Sequence, residues 1–558
     1  MTRKTEIAIF GIIFLLGLFF RFFNITETPP GLYPDEAMNG GNALEALYAP
    51  PPAGGFKVFY PENNGREGLF INIQALSVKI FGEHPWSLRI VSSLMGTLTI
   101  LGIYLLTREL FQLASPYLFR FALSPPLVAL FTSFFLATSY WHINFSRIGF
   151  RAIMLPLVIA FGFYWLFKSL RTGSIPSLVL SGIVFGLGFY TYIAVRFVPF
   201  IGIAVLALAF WHWIRKRKTA MEHTPCVPCL SALLVLIMIV MGIPIGYYFL
   251  QHPADFTGRG GQVSVFSAEH PLAEFAKSTA LSLGMFNVRG DCNPRHNFRC
   301  QPETSLLVGI FFLVGLFIGM RELLKKQYYE NDLNGLMPFF FLLTAFFFMM
   351  LPATLTREGI PHALRSIGMI IPVMMYAGLG AAWLWQKSMA YIDENLRDPR
   401  NSDRYKQIRR IRSEAHILLI SLALFIASGS FFTYFIAFAG SDDAYGGFSA
   451  DISTIGEFLN QKPDDLKKYV IVNGGGDPVR GIPISSQPIM FLTHTFLPED
   501  QNTRNLRYVL ESDIALIPNE HPQLIVPVRE TTEVMEKVHA KFPKARVRHA
   551  NGITVIEN

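Results

Sequence analysis

Two adjacent carboxylates, Asp35 and Glu36, are the residues of this sequence best suited to chemistry. They follow a proline in the stretch GLYPDEAMNGGNALEAL (31–47), directly after the first apolar segment. A single carboxylate can act as a general base on an acceptor hydroxyl. The structural alternative is a helix start, where proline and acidic residues are favoured in the first turn. Neighbouring helical residues point about 100° apart, so we expect the two carboxylates to have different partners.

Gly40 and Gly41 lie in the same predicted helix. Each glycine costs a helix about 1 kcal/mol relative to alanine, which indicates that backbone or ligand approaches closely at this place. The stretch NNGREGLFINIQALSVKIFG (63–82) then predicts a helix lying on the membrane surface. Such a segment would enclose a site where lipid-borne and aqueous substrates meet. The predicted substrate contacts are Tyr33, Arg66, Glu67 and His362.

Arginines near the predicted outer ends of the helices form a second set of functional candidates. Arginine binds phosphate through charge-assisted, often bidentate hydrogen bonds. For any single arginine the alternative is an ion-paired or snorkelling residue at the membrane interface. For the set, an anionic headgroup site is the better account. The predicted phosphate-binding residues are Arg147, Arg151, Arg196, Arg259, Arg357 and Arg365.

The composition predicts a membrane protein to position these residues. The chain has 558 residues, of which 51% are hydrophobic and 16% charged, whereas soluble proteins average about 25% charged residues. The net charge of +8 does not indicate nucleic acid, because lysine and arginine lie in short runs between apolar stretches, as in cytoplasmic loops. Four cysteines are too few for a disulfide scaffold.

The fold class predicted is an α-helical polytopic membrane protein with about eleven spans, since a bilayer core needs about 20 mostly apolar residues per helix. The first span is read as an uncleaved helix, because no cleavage site follows it. The predicted spans lie near 6–23, 87–107, 122–141, 152–168, 174–191, 197–213, 229–250, 304–320, 335–353, 366–386 and 415–437.

Positive charge predicts the orientation of these spans. Lysine and arginine concentrate in the segments that lie inside if the N-terminus is cytoplasmic, most strongly at Arg215–Lys218 and Arg397–Arg412. Two long loops, 24–86 and 251–303, then lie outside, as does the C-terminus. An oxidising exterior would permit a disulfide between Cys292 and Cys300, with two free thiols as the alternative. Cys-Val-Pro-Cys at 226–229 is a weak zinc signal on the inner side, and we predict no metal site.

After Phe438 the pattern changes, and we predict a transmembrane domain over 1–438 and a small extracytoplasmic α/β domain over 439–558. One amphipathic helix is predicted at TTEVMEKVHAKFP (531–543). GGGDP (474–478) lacks the spacing of a dinucleotide-binding loop and is read as a turn. The predicted strands are KKYVIVNGGG (467–476), QPIMFLTH (487–494), DIALIPN (513–519), QLIVPV (523–528) and GITVIEN (552–558).

A carboxylate, a set of cations and a membrane surface together suit transfer of a sugar from a polyprenyl phosphate. The phosphate leaves without a strong acid, one carboxylate can serve as base, and arginines can stabilise the departing charge. A glycoside hydrolase normally needs two cooperating carboxylates, and Asp35 and Glu36 need not form such a pair.

The sequence resembles the GT-C membrane glycosyltransferases, of the protein O-mannosyltransferase and lipid A aminoarabinose transferase type. The resemblance covers roughly residues 1–380. It is carried by YPDEAMNGGNALEAL, by the segment from Leu69 to Leu110, and by FSRIGFRAIMLPL and EGIPHALRSIGMIIP. A Lys-Pro-Pro or His-Pro-Pro sequence often precedes the surface helix in this family. Here Gly65-Arg66-Glu67-Gly68 stands instead.

The resemblance implies inverting transfer of a hexosyl or pentosyl group from a polyprenyl-phosphate-linked donor on the outer membrane face. Asp35 would be the base and Glu36 would shape the site, with no obligatory cofactor. The expected partners are the lipid-linked donor, the bilayer, and an acceptor protein, glycolipid or polysaccharide, and the expected location is a prokaryotic cytoplasmic membrane. The alternatives are a ligase or polymerase of lipid-linked glycans, a glycolipid transporter or flippase, and a polysaccharide-binding membrane protein.

Overall fold

The computed structural model describes residues 1–114, 123–217, 225–262, 264–325, 333–395, 402–550 and 552–558. Within them, nine helices are long and apolar enough to cross a membrane, which confirms an integral membrane protein. They are Arg3–Phe22, Pro85–Leu113, Arg151–Thr172, Ile193–Arg215, Val227–Gln251, Leu306–Leu323, Met337–Thr354, Ile367–Glu394 and Arg409–Phe438.

The other two predicted spans are shorter helices, Pro125–Thr138 and Ile175–Gly188, of 14 residues each. At 1.5 Å per residue, each is about 21 Å long, less than the bilayer core of about 30 Å. The first ends because Ser139 adopts an extended conformation (φ −66°, ψ 120°) and caps the next helix, Tyr140–Phe145. Each of the eleven predicted spans thus contains an apolar helix in the described structure, nine of them long enough to cross a bilayer and two shorter.

The two long loops, predicted at 24–86 and 251–303, carry secondary structure of their own. The first holds the helix with the acidic pair, Pro34–Tyr48, a two-stranded hairpin of Phe59–Tyr60 with Arg66–Glu67, and the predicted surface helix as Gly68–Phe81. The loop 251–303 contains the helices Pro253–Gln262 and Pro271–Gly284.

The C-terminal region forms a five-stranded sheet in the order Leu506–Leu510, Lys467–Val472, Gln523–Pro527, Ile553–Glu557 and Arg546–Ala550. The first three strands are parallel, and the last two pair antiparallel. Short helices complete the region at Asp442–Gly447, Ala450–Asn460, Gln487–Leu492, Pro498–Thr503 and Thr532–Lys541. The boundary at 439 stays a prediction.

Three predicted strands and the predicted helix at 531–543 are present, and two predicted strands are wrong. QPIMFLTH forms the helix Gln487–Leu492, and DIALIPN falls largely in the 3₁₀ helix Glu511–Leu516. Arg546–Ala550 is a strand that the apolar pattern missed, because it lies at the sheet edge with mostly exposed side chains. GGGDP lies in an irregular connection, as predicted.

One apolar cluster joins the C-terminal region to the first outer loop. Ala37, Met38 and Leu44 of the Pro34–Tyr48 helix pack with Phe491 and Phe496. Gly40 and Gly41 make this approach possible, because a Cβ on Gly40 would lie 2.5 Å from the Phe491 ring and one on Gly41 would overlap the Phe496 ring. The predicted close approach at the glycine pair is thus to the C-terminal region.

We predict that Gly41→Ala destabilises the protein. The added methyl forces the Phe496 ring to move, and such overpacking costs about 1–3 kcal/mol, against the gain of about 1 kcal/mol in helix propensity. Gly429→Ala is the matched control, because a Cβ there meets no atom within 4 Å. The measurement is the thermal unfolding midpoint in detergent. A midpoint for Gly41→Ala equal to or above that of Gly429→Ala would contradict this packing.

Candidate functional site

The acidic pair begins the helix Pro34–Tyr48, and Glu36 is its structural member. Glu36 is fully buried and forms an ion pair with the equally buried Arg89, with 3.0 Å between Oε1 and the arginine Nε. Its carboxylate also accepts from the backbone N–H groups of Tyr33, at 3.3 Å, and Gly149, at 2.7 Å. Arg89 in turn donates to the carbonyls of Pro29 and Gly31. Glu36 therefore joins the start of its own helix to the segments that contain Arg89 and Gly149.

Asp35 is partly exposed at the same helix start. Its Oδ1 accepts from the Asn63 amide at 2.7 Å, and Asn63 lies in the turn of the hairpin 59–67. Among the described residues, Oδ2 of Asp35 has no protein hydrogen-bond partner. The adjacent carboxylates thus have different partners, as the helical spacing predicts.

Tyr33 connects the acidic pair to the loop 251–303. The guanidinium of Arg295 lies 3.9 Å from the centre of the Tyr33 ring. The Phe150 ring packs edge-on against Tyr33, with 6.0 Å between the two ring centres. Burial, with the negative charge of Asp35 as a further cause, raises the pKa of Tyr33 to about 12. The phenol is therefore neutral near pH 7, and the Arg295 cation stands over its ring.

Arg147 is fully buried in backbone contacts. It donates to the carbonyls of Phe20, Phe23 and Thr28 at 2.7–3.1 Å, and its guanidinium lies 4.9 Å from the ring centre of Phe435. These contacts fasten the end of the first span to the outer loop. The structure does not place Arg147 against the acidic pair, and its phosphate-binding role stays a prediction.

Arg151 and Glu67 form an ion pair at 2.9 Å, and both side chains are largely buried. Arg66 reaches the helix of the acidic pair, where it donates to Asn39 at 2.6 Å and to Asn42. The charged sequence Arg66-Glu67 thus ties the hairpin both to that helix and to the outer end of the span Arg151–Thr172.

Arg196 and Arg365 have separate contacts. Arg196 donates to the Phe256 carbonyl at 3.0 Å and packs over that residue's ring. Arg365 donates from Nη1 to Thr356 and to the Glu358 carbonyl, both at 2.8 Å, and burial lowers its pKa. Arg357 is exposed. Arg259 lies in a helix, but its side chain is outside the described part of the structure.

Cys292 and Cys300 form a disulfide that brackets Arg295 and His296. Within the described residues, one group of side chains could hold a metal ion, namely Asp291, His296 and His362, whose donor atoms lie within 4.8 Å of one another. His296 Nδ1 lies 2.8 Å from Asp291 Oδ2, and burial lowers the pKa of His296. A carboxylate with two imidazoles is a donor set that zinc uses. Cys226 and Cys229, the weak zinc signal, are joined in a second disulfide.

Several residues at the site were not found by sequence reasoning. Arg89, Asn63 and Arg295 acquire their roles only through long-range contacts to Glu36, Asp35 and Tyr33. Arg295 alone carried a signal in the sequence, since it lies between Cys292 and Cys300, for which a disulfide was one of two alternatives. His296 and Asp291 lie in or beside the same loop.

We predict unequal stability effects for substitutions of the two adjacent acids. Glu36→Gln leaves the Arg89 charge buried without its partner, and breaking such a pair costs about 3–5 kcal/mol. Asp35→Asn removes a charge from a partly exposed group that makes one hydrogen bond to Asn63, so its effect is small. The check is the unfolding midpoint of each purified variant. Equal midpoints for wild type and Glu36→Gln would refute the structural role of Glu36.

Residues 69–243 match the family model described as dolichyl-phosphate-mannose-protein mannosyltransferase. No curated protein matches the chain. The crystal structure of ArnT from Cupriavidus metallidurans in the apo state superimposes on it with a TM-score of 0.52 and 13% identity, covering 100% of this chain and 98% of that one. The same ArnT bound to undecaprenyl phosphate gives a TM-score of 0.48 at 13% identity, again over 100% and 98% of the two chains.

A crystal structure of the Archaeoglobus fulgidus oligosaccharyltransferase, tethered to an acceptor peptide, also gives a TM-score of 0.48 at 13% identity, over 88% of this chain and 63% of that one. The match to apo ArnT spans both chains almost entirely, including the C-terminal region. It establishes the fold. This protein is a polytopic α-helical membrane protein with a GT-C fold, and its resemblance to the GT-C membrane glycosyltransferases is confirmed.

Proposed function

We propose that the protein transfers a sugar from a polyprenyl-phosphate-linked donor to an acceptor hydroxyl on the outer face of the membrane, with inversion and with Asp35 as general base. The supporting observation is the contrast within the acidic pair. Both oxygens of Glu36 are bonded to buried partners. Asp35 is partly exposed, and its Oδ2 has no protein partner among the described residues.

In the proposed step, Asp35 Oδ2 accepts the proton of the acceptor hydroxyl as that oxygen attacks the anomeric carbon. The bond between this carbon and the phosphate oxygen breaks on the opposite face, and the electron pair leaves with the polyprenyl phosphate. The new glycosidic bond therefore has inverted configuration. One base suffices, because phosphate is a good leaving group without protonation, and no metal enters the step.

We propose Arg295 and Arg365 as the cations that bind the departing phosphate. Arg295 lies against Tyr33, two residues before Asp35. Arg365 uses Nη1 for its contacts in the described structure and keeps Nη2 for a ligand. A preorganised guanidinium stabilises negative charge as it develops on the leaving group. Arg147 and Arg151 instead hold the surrounding backbone and the hairpin.

The first test is sugar release and transfer from a panel of polyprenyl-phosphate-linked monosaccharides by the purified protein. Asp35→Asn should abolish transfer while the unfolding midpoint stays near that of wild type, since the amide keeps the shape of the side chain. The matched control is Asp393→Asn, a carboxylate on the predicted inner side that pairs with Arg412. Full activity in Asp35→Asn would remove this residue as the base.

The acceptor is tested in the same assay with a Ser/Thr peptide, a lipid A-like glycolipid and a cell-envelope polysaccharide. Turnover of single-sugar donors supports the proposal. Turnover only of donors carrying an oligosaccharide would indicate a ligase or polymerase of lipid-linked glycans. Movement of an intact glycolipid across vesicles without sugar transfer would indicate a flippase.

The phosphate proposal gives a kinetic distinction between two arginines. We predict that Arg365→Ala lowers kcat/KM for the donor by about a hundredfold, the usual effect of losing one charge-stabilising group, with little change in stability. Arg147→Ala should mainly lower the unfolding midpoint, because it strips three backbone carbonyls of their donor. A donor kcat/KM unchanged in Arg365→Ala would dismiss that residue from the phosphate site.

A further inference from the structure

Two hairpins from distant parts of the chain meet beside Asp35. We call the first, residues 59–67, the Asn63 hairpin; it lies in the first outer loop, with Phe59 opposite Glu67 and Tyr60 opposite Arg66. We call the second, residues 478–483, the Arg480 hairpin; it lies in the C-terminal region, with Pro478 opposite Pro483. Its two turn residues, Arg480 and Gly481, both have positive φ (52° and 83°), as a type I′ turn requires.

The Arg480 side chain joins the two hairpins. Its Nε lies 2.6 Å from Glu62 Oε1, and its Nη2 lies 3.2 Å from Glu62 Oε2 and 2.8 Å from Glu45 Oε1. Arginine's planar fork suits this double contact better than a lysine ammonium. A second contact lies alongside, where the Asn64 amide donates to Asp477 Oδ2 at 2.8 Å. The turn of the Asn63 hairpin is therefore held by the C-terminal region.

The same turn holds Asp35. Asn63, between Glu62 and Asn64, donates to Asp35 Oδ1 at 2.7 Å. Asn63 and Asn64 both have positive φ (51° and 62°), a conformation that asparagine tolerates better than most residues. At the base of the hairpin, Arg66 donates to Asn39 of the Asp35 helix. The position of the Asn63 amide thus depends on the contacts of Arg480 at the turn of the hairpin and of Arg66 at its base.

The carboxylates around Arg480 explain why this position needs a cation. Glu45 and Glu62 both face Arg480, and Asn42 contacts both carboxylates. Arg66 and Lys57 are the other cations close by. Burial alone would raise the pKa of Glu62, but hydrogen bonds from Arg480 and Asn42 lower it overall. Without Arg480, two acids would repel each other at the tip of the hairpin that holds Asp35.

We propose that Arg480 is a positioning residue for the transfer reaction, which fixes the Asn63 hairpin and through it the orientation of the Asp35 carboxylate. The inference rests on the proposed function of Asp35 as base. It assigns the C-terminal region a part in catalysis, namely completing the geometry of the base. Donor binding by Arg295 and Arg365 is independent of this contact.

The experiment compares Arg480→Ala with Arg480→Lys and with Arg504→Ala. Arg504 is the matched control, because it pairs with Asp464 within the C-terminal region. We expect Arg480→Ala to lower kcat by about tenfold to a hundredfold, since small misplacement of a catalytic group has effects of this size, with donor KM changed less than about twofold. Arg480→Lys should recover part of kcat, and Arg504→Ala should match wild type.

Hydrogen exchange of the backbone amides in 59–67, measured by mass spectrometry, reports the hairpin without any turnover. We expect faster exchange in Arg480→Ala than in Arg504→Ala. Glu62→Gln, which keeps the side-chain volume, serves if Arg480→Ala does not fold, and it should show a smaller change of the same sign. Unchanged exchange, or faster exchange with unchanged kcat, would overturn the proposal.

This design separates the two hypotheses. If wild type turns over no donor and Asp35→Asn behaves identically, the proposed function fails, whatever the exchange result. If wild type is active, Asp35→Asn is inactive, and Arg480→Ala retains full kcat, the proposed function stands and the positioning role of Arg480 fails.

Discussion

The buried ion pair between Glu36 and Arg89 is the interaction on which the rest of the site depends. Both charges are out of contact with solvent, a costly arrangement unless every lone pair and proton is satisfied. Here Glu36 also accepts from the backbone N–H groups of Tyr33 and Gly149, and Arg89 also donates to the carbonyls of Pro29 and Gly31. One pair therefore fixes how the chain leaves the first span and enters the helix that carries Asp35.

The same ion pair also gives the neighbouring acids Asp35 and Glu36 different surroundings. Glu36, two positions after the helix start at Pro34, is buried and pairs with Arg89, whereas Asp35, directly before it, is partly exposed. A single helical turn thereby supplies both the anchor and the candidate base. Arg66 and Glu67 are also neighbours with different partners. The Arg66 guanidinium donates to Asn39 and Asn42, whereas the Glu67 carboxylate pairs with Arg151.

The sequence predicted what local pattern and composition control. The apolar segments, the helix start at Pro34, the surface helix and three C-terminal strands follow from hydropathy, proline placement and periodicity. Hydropathy does not register the break at Ser139, which ends the helix Pro125–Thr138 before it reaches the length of a full span. Gln487–Leu492 was taken for a strand because it is short and apolar, and its Phe491 packs against Gly40. Asn63 and Arg480 could not be assigned, since Arg480 finds Glu62 418 positions away.

The packing of Phe491 and Phe496 against Gly40 and Gly41 has a consequence for biogenesis. The helix that bears Asp35 is synthesised roughly 450 residues before Phe491 and Phe496, the aromatic residues that cover it. At about 5–20 residues per second, tens of seconds separate the two events. During that interval the helix face at Gly40 and Gly41 lacks its cover of aromatic rings. The final surroundings of the acidic pair therefore form only after these distant residues have been made.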